Sequence, residues 1–141
     1  MKIAIASDHG GYNLKQKIYE YLKNDYEIVD FGTNSTESCD YPVYAKKVVD
    51  AILNKGFDRG ILVCGTGIGM AMCANRYKGI RASNVFNTFC AKITRQHNDS
   101  NILTLGERVI DFPLAKEIVD IWLNSEFEGG RHQKRIDMLD E

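Results

Sequence analysis

No apolar run in these 141 residues approaches the roughly 20 needed to cross a bilayer, so no membrane-spanning helix is expected. A basic excess is also missing. The 18 Lys+Arg stand against 19 Asp+Glu for a net charge of −1, which argues against a nucleic-acid or membrane-surface partner. The four cysteines, Cys39, Cys64, Cys73 and Cys90, form no C-x-x-C pair, and neither H-x-H nor H-E-x-x-H spacing occurs. Structural zinc and dithiol redox chemistry are thereby disfavoured, and no metal or cofactor is expected. The opening residues 1–6 are too short for a secretory signal and run straight into Ser7-Asp8-His9. Free thiols without a leader point to a cytoplasmic protein. There is no linker, repeat or low-complexity stretch, so residues 1–141 read as a single domain.

The composition is that of a packed domain, with 44% hydrophobic and 26% charged residues. Strand and helix signals alternate along it. Short apolar runs at 2–6, 27–31, 59–64, 80–85 and 101–105 read as five strands. Helical spacing of apolar residues occupies 13–24, 42–53, 67–76, 88–96 and 112–123, and a charged helix is expected over about 130–140. Helices between strands imply right-handed βαβ units and a parallel sheet covered on both faces, an α/β three-layer sandwich.

The third strand ends in the segment Cys64-Gly65-Thr66-Gly67-Ile68-Gly69. In open α/β sheets the carboxyl ends of the strands are where ligands bind. Three alternating glycines let backbone N–H groups approach an anion, and the following helix start adds its positive end. The loop is not G-x-G-x-x-G, because position 70 is Met, and it lacks the Gly-Lys-Ser/Thr ending of a nucleotide P-loop. Dinucleotide and ATP binding are therefore disfavoured. A thiol at such a loop suits chemistry on a small anionic molecule that forms an oxyanion.

Other polar residues follow strands or close helices, and they are expected to converge on the same sheet edge. Asp8 and His9 follow the first strand, where Asp8 could equally cap a helix. The run Arg95-Gln96-His97-Asn98 closes the fourth helix, where His97 could simply complement the helix dipole. Arg108 follows the fifth strand. Arg131 and Arg135 stand four apart on one helical face, either solvated or a clamp for phosphate.

Taken together, Ser7-Asp8-His9-Gly10-Gly11, the Cys64–Gly69 loop, Arg95-Gln96-His97-Asn98 and Glu128-Gly129-Gly130-Arg131-His132-Gln133-Lys134-Arg135 resemble the B-type ribose-5-phosphate isomerases. The wider family includes galactose-6-phosphate isomerase. The resemblance implies a Rossmann-like fold with five parallel strands, and metal-free interconversion of ribose 5-phosphate and ribulose 5-phosphate. It places the proton-transferring base on Cys64 and associates Thr66 and His97 with opening of the sugar ring. Asp8 and His9 then contact the sugar and phosphate end. Asn98 and the loop residues Gly65, Gly67, Ile68 and Gly69 hold the developing oxyanion, while Arg108, Arg131 and Arg135 match phosphate ligands. Relatives that use a glutamate one turn into the helix differ here, since 68–72 contains no acid. Galactose-6-phosphate subunits generally lack the cysteine and the Asp-His pair. Family members are dimers or tetramers whose sites draw on two chains, so a homodimer or homotetramer with a shared site is implied, the C-terminal helix packing on the partner. An isomerase of a six-carbon sugar phosphate (allose or galactose 6-phosphate) and a non-catalytic sugar-phosphate-binding module are the alternatives.

Overall fold

The computed structural model describes all residues 1–141. Five parallel strands, β1 (Lys2–Ser7), β2 (Glu27–Asp30), β3 (Arg59–Cys64), β4 (Ala82–Asn84) and β5 (Ile102–Gly106), form one sheet in the order β2-β1-β3-β5-β4. The helices are α1 (Tyr12–Leu22), α2 (Tyr41–Asn54), α3 (Ile68–Ala74), α4 (Thr88–Asn98), α5 (Phe112–Asn124) and α6 (Arg131–Asp137). Short 3-10 turns occupy His9–Gly11 and Met138–Asp140. None of the helices is long and apolar enough to cross a membrane. The expected five-stranded parallel sandwich is therefore the observed one. The fourth strand is only three residues long, because Ile80 and Arg81 stay outside the ladder. It also lies at the sheet edge, with β5 inserted between it and β3.

That strand order fixes the two helical layers. Right-handed crossovers that step one way along the sheet put their helices on one face, and steps the other way use the opposite face. Accordingly α1 and α4 share a face, joined by α5, and α2 and α3 cover the other. The pleat divides the core in the same manner. Ile3, Ile5, Ile61, Val63, Leu103 and Leu105 face α1, α4 and α5, while Ala4, Ala6, Leu62, Cys64 and Ile102 face α2 and α3. Fully buried Trp122 donates its indole N–H to Ser100 Oγ at 2.8 Å. Tyr21 Oη donates to Asp120 at 2.7 Å, tying α1 to α5, and this bond, with burial and the nearby carboxylate charge, pushes its phenol up to about 12.

One buried charge anchors the loop beyond β2. Lys15 on α1 is completely buried, and its Nζ lies 3.0 Å from both carboxylate oxygens of Asp30. The same ammonium donates to the Thr33 carbonyl. All three ammonium protons thus have acceptors, which is what a buried lysine requires. Replacing Lys15 by Met should cost about 3–5 kcal/mol, the usual result of breaking one side of a buried ion pair. Urea denaturation measures this directly; an unchanged midpoint would mean that the pair contributes nothing net.

Candidate active site

The carboxyl edge of the sheet carries the cysteine loop. Cys64 is the last residue of β3 and pairs across the ladder with Gly106 at the end of β5. Its Sγ accepts the Gly67 N–H at 3.1 Å, so the sulfur is turned into its own loop rather than away from it. Gly67 has φ +81°, and a Cβ there would fall 2.2 Å from Asn84 Oδ1, so only glycine fits. Thr66 is exposed, and its Oγ1 accepts the Ile68 N–H at 3.2 Å. The opening turn of α3 leaves the Gly69 and Met70 N–H groups without intrahelical acceptors. The arrangement is a row of backbone donors beside a thiol.

Neighbouring strand ends close on this loop. Asp8 Oδ1 accepts the N–H groups of Gly10 and Gly11 at 2.9 and 3.2 Å, making the Asp-His turn rigid. Hence Asp8 does cap a helical turn, the short one that precedes α1. Gly10 packs against the Gly65 backbone, which places His9 alongside the cysteine loop. His9 Nδ1 accepts the Cys39 N–H at 3.2 Å, a contact the sequence gave no sign of. After β5, the N–H groups of Glu107 and Arg108 bond to the Cys64 and Gly65 carbonyls, both at 3.0 Å. The Arg108 guanidinium then lies over Gly65, so close that a Cβ would sit 2.9 Å from Nη1. Tyr41, at the start of α2, rests its ring on Gly69. Asn84 was not legible as a site residue, because its role depends on packing against a glycine from another element.

His97, Asn98, Arg131 and Arg135 are elsewhere. The expectation that all candidates share one edge is corrected by the direction of α4. A helix returning from the end of β4 to the start of β5 must run antiparallel to the strands, so its last residues reach the amino edge. There the Asn98 carbonyl accepts Arg81 Nε at 2.9 Å, at the residue just before β4. About 13 Å of strand, four steps of β5, separates that level from Gly106. Arg131 and Arg135 lie beside His97, because α6 packs on α4 and the Glu128 N–H bonds to the Gln96 carbonyl at 3.0 Å. Own-chain packing buries His132 and Ile136 of α6, leaving Met138 and Leu139 exposed.

This second cluster forms a cleft of about 240 Å³ lined by His97, Asn98, His132, Arg135, Ile136 and Leu139. The His97 and His132 rings stack at 4.2 Å with 13° between planes. Burial pushes the His132 imidazole below the ordinary histidine range, and the charges of His97, Arg131 and Arg135 add to this against Glu128. Arg108, Arg131 and Arg135 are exposed and enter no salt bridge, so their charge is free for an anion. No cavity is lined by Cys64; two clefts of about 240 and 320 Å³ open beside Asn98 at the amino edge, at the lower end of the roughly 300–1,000 Å³ of small-molecule sites, and neither contains the thiol. The expected site residues are thus split into two halves, one at each edge.

Comparison with known proteins places these halves in context. The Ribose/Galactose Isomerase family profile matches residues 3–139. Ribose-5-phosphate isomerase B of Escherichia coli is 46% identical over 139 residues, covering 98% of this chain and 93% of that protein. The crystal structure of a ribose 5-phosphate isomerase from Thermotoga maritima superposes with a TM-score of 0.96 at 52% identity, covering 99% of this chain and 97% of the other. Ribose-5-phosphate isomerase B from Mycoplasma genitalium, solved with bound ribulose-5-phosphate, gives 0.92 at 44% identity over 98% and 93% of the two chains.

The electrostatics of the stacked pair make a signed prediction. In an NMR titration His132 should protonate below the usual histidine value near 6.5. Glu128→Gln should lower it further, whereas His97→Asn should raise it. Shifts of the same sign in both variants would contradict the charge arrangement. Since His132 must be charged on unfolding below its ordinary pKa, its neutral folded form favours the native state above that pH and the contribution fades as pH falls through the folded value.

Proposed function

The chain belongs to the ribose/galactose isomerase family, and from that membership we propose that it interconverts D-ribose 5-phosphate and D-ribulose 5-phosphate at a site shared by two copies of the chain. The names of the relatives and the ribulose-5-phosphate bound in the Mycoplasma genitalium protein support the substrate. One observation carries the shared site. Cys64 and Arg108 occupy the carboxyl edge, His97 and the Arg131/Arg135 pair occupy the amino edge, and no cavity of the single chain brings the two groups together. In a two-fold dimer the carboxyl edge of one copy meets the amino edge of the other, completing two equivalent sites. Ile68 and Met72 of α3, Phe86 and Phe89 after β4, and Val109 after β5 are each more than half exposed, an apolar surface suited to such a partner.

The chemistry follows from the residue types. The Cys64 thiolate takes the proton from C2 of the open-chain aldose, and the electron pair moves into a C1–C2 double bond as the carbonyl oxygen becomes an enediolate oxygen. Backbone donors of Gly65–Gly69 stabilise that charge, as an oxyanion hole does. Return of the proton to C1, with proton transfer between the two oxygens, yields the ketose. The Gly67 N–H already points at Sγ, the placement that a thiolate needs. Ring opening requires a second acid/base, and an imidazole titrates in the working range; His97 of the second copy takes that role, with Thr66 assisting from the cysteine loop. Asp8 and His9 hold the sugar, Asn98 helps to bind the oxyanion, and Arg108, Arg131 and Arg135 bind phosphate. Anchoring phosphate far from C1 and C2 fixes the reacting atoms in register. No step uses a metal or an organic cofactor.

Two measurements test the reading. Cys64→Ala should lose roughly 10²–10⁴-fold in kcat with a smaller change in KM, as expected for a general base; full activity would remove Cys64 from the mechanism. Mixing Cys64→Ala subunits with Arg131→Ala/Arg135→Ala subunits under exchange conditions should recover about a quarter of wild-type activity, because half the dimers are hybrids and each hybrid has one intact site. Recovery no greater than the parents' residual activity would place both halves in the same chain.

A further inference from the structure

We propose that the Cys39 backbone amide is a positioning group that locks His9 as its Nε2–H tautomer. His9 is thereby a fixed hydrogen-bond donor to a substrate oxygen and takes no part in the proton transfer that opens the sugar ring. The Cys39 N–H reaches His9 Nδ1 at 3.2 Å, within hydrogen-bond distance. An amide N–H donates and cannot accept. The lone pair must therefore sit on Nδ1, which puts the single proton of the neutral ring on Nε2. Cys39 Sγ stands 4.0 Å from the same nitrogen, so the amide and not the thiol holds the ring.

Both partners are held in place independently. Asp8 Oδ1 accepts the Gly10 and Gly11 N–H groups, which fixes the turn that carries His9. On the other side, residues 34–38 and Asp40 are exposed, and Cys39 alone in that stretch is partly buried. The stretch is anchored by Lys15 Nζ on the Thr33 carbonyl at one end and by the Tyr41 ring on Gly69 at the other. Gly10 packs on Gly65, so the locked ring stands beside the cysteine loop. A nitrogen that already carries its proton has no lone pair with which to take another from a sugar hydroxyl. Acting as an acid would require a second proton on Nδ1, where two N–H donors would face each other with no acceptor between them. His97 is under no such restraint, since its Nε2 lies 3.7 Å from Glu128 Oε1, beyond hydrogen-bond distance. Ring opening then stays with His97, a consequence that rests on the isomerase reading; the tautomer of His9 does not.

Nitrogen NMR of the uniformly ¹⁵N-labelled protein, above the ordinary histidine pKa near 6.5, reads the tautomer directly. His9→Gln assigns the ring among the three histidines. An unprotonated Nδ1, a protonated Nε2 and a ¹⁵N–¹⁵N coupling across the bond from the Cys39 amide are expected. All three should persist in Cys39→Ala, which keeps the amide; if that variant unfolds by circular dichroism, the wild-type spectrum decides alone. A ring protonated at Nδ1, a ring averaging between tautomers, a missing coupling, or its loss in folded Cys39→Ala would each overturn the lock. Kinetics test the consequence. The Gln carboxamide can present an N–H in place of Nε2 but carries no transferable proton. His9→Gln should thus raise KM for ribose 5-phosphate about tenfold, and lower kcat by less than the roughly 10²–10⁴-fold loss of an acid–base residue. A fall in kcat as large as that of His97→Asn would return His9 to ring opening. Absence of ribose 5-phosphate turnover in the wild type would remove the isomerase reading, and this consequence with it, without touching the tautomer.

Discussion

A single strand polarity governs this molecule. Because all five strands are parallel, every βα junction lies at one edge of the sheet and every αβ junction at the other. A residue's edge is then decided by whether it follows a strand or follows a helix. Asp8, Cys64 and Arg108 follow strands, and they gather where strand ends and glycine turns leave backbone donors free. His97 and Asn98 close a helix and are carried to the opposite edge, where α6 packs beside them. No side-chain rotation crosses the intervening ladder. In the proposed reading, completion of a site from these parts is a matter of assembly, and the polarity that divides the residues suits a two-fold partner.

Within the carboxyl edge, precision comes from contacts that admit no side chain. Arg108 approaches Gly65 and Asn84 approaches Gly67, so the cysteine loop is clamped from β5 on one side and from β4 on the other. Asn84 in turn accepts Thr104 Oγ1 at 3.1 Å, connecting both strands to the loop. The buried Lys15–Asp30 pair performs a related task behind β2, holding the segment that delivers Cys39 to His9 and Tyr41 to Gly69. These are static restraints, and they suit the role proposed for Cys64, since a base serving both C1 and C2 must be held between them.

Much of this was legible in the residue pattern, for definable reasons. Short apolar runs mark all five strands, and the glycine-rich turn after Cys64 marks a strand end, because local periodicity reports local structure. Strand order was not legible: inserting β5 between β3 and β4 changes no local signal, yet it makes the short β4 an edge strand. The convergence of polar residues on one edge was wrongly expected, since adjacency to a strand was counted without asking at which end. His97, Glu128 and His132 were not legible as a cluster because spacing rules read neighbours along one helix. These three come from two segments joined by the Glu128–Gln96 backbone bond. The motif containing Glu128 and His132 was visible, but its link to His97 was not.

The division into halves also bears on selectivity. A pocket within one chain selects substrate length by its own walls. In the shared site proposed above, Arg131 and Arg135 stand on the edge opposite the Cys64 thiol while Arg108 stands beside it, so the distance from that pair to the thiol is a property of the interface. Adding one carbon to the sugar would lengthen the span from phosphate to reacting carbons by a bond. The site can absorb that change by a rigid shift of one copy against the other, or by leaving one guanidinium unengaged. On that reading both adjustments act through the exposed apolar surface of Met72, Phe86 and Phe89 and not through the cysteine loop, whose glycine contacts leave it no room to move. Discrimination between five- and six-carbon substrates then rests on how the two copies pack, and proton transfer on the Cys64 of the proposed mechanism.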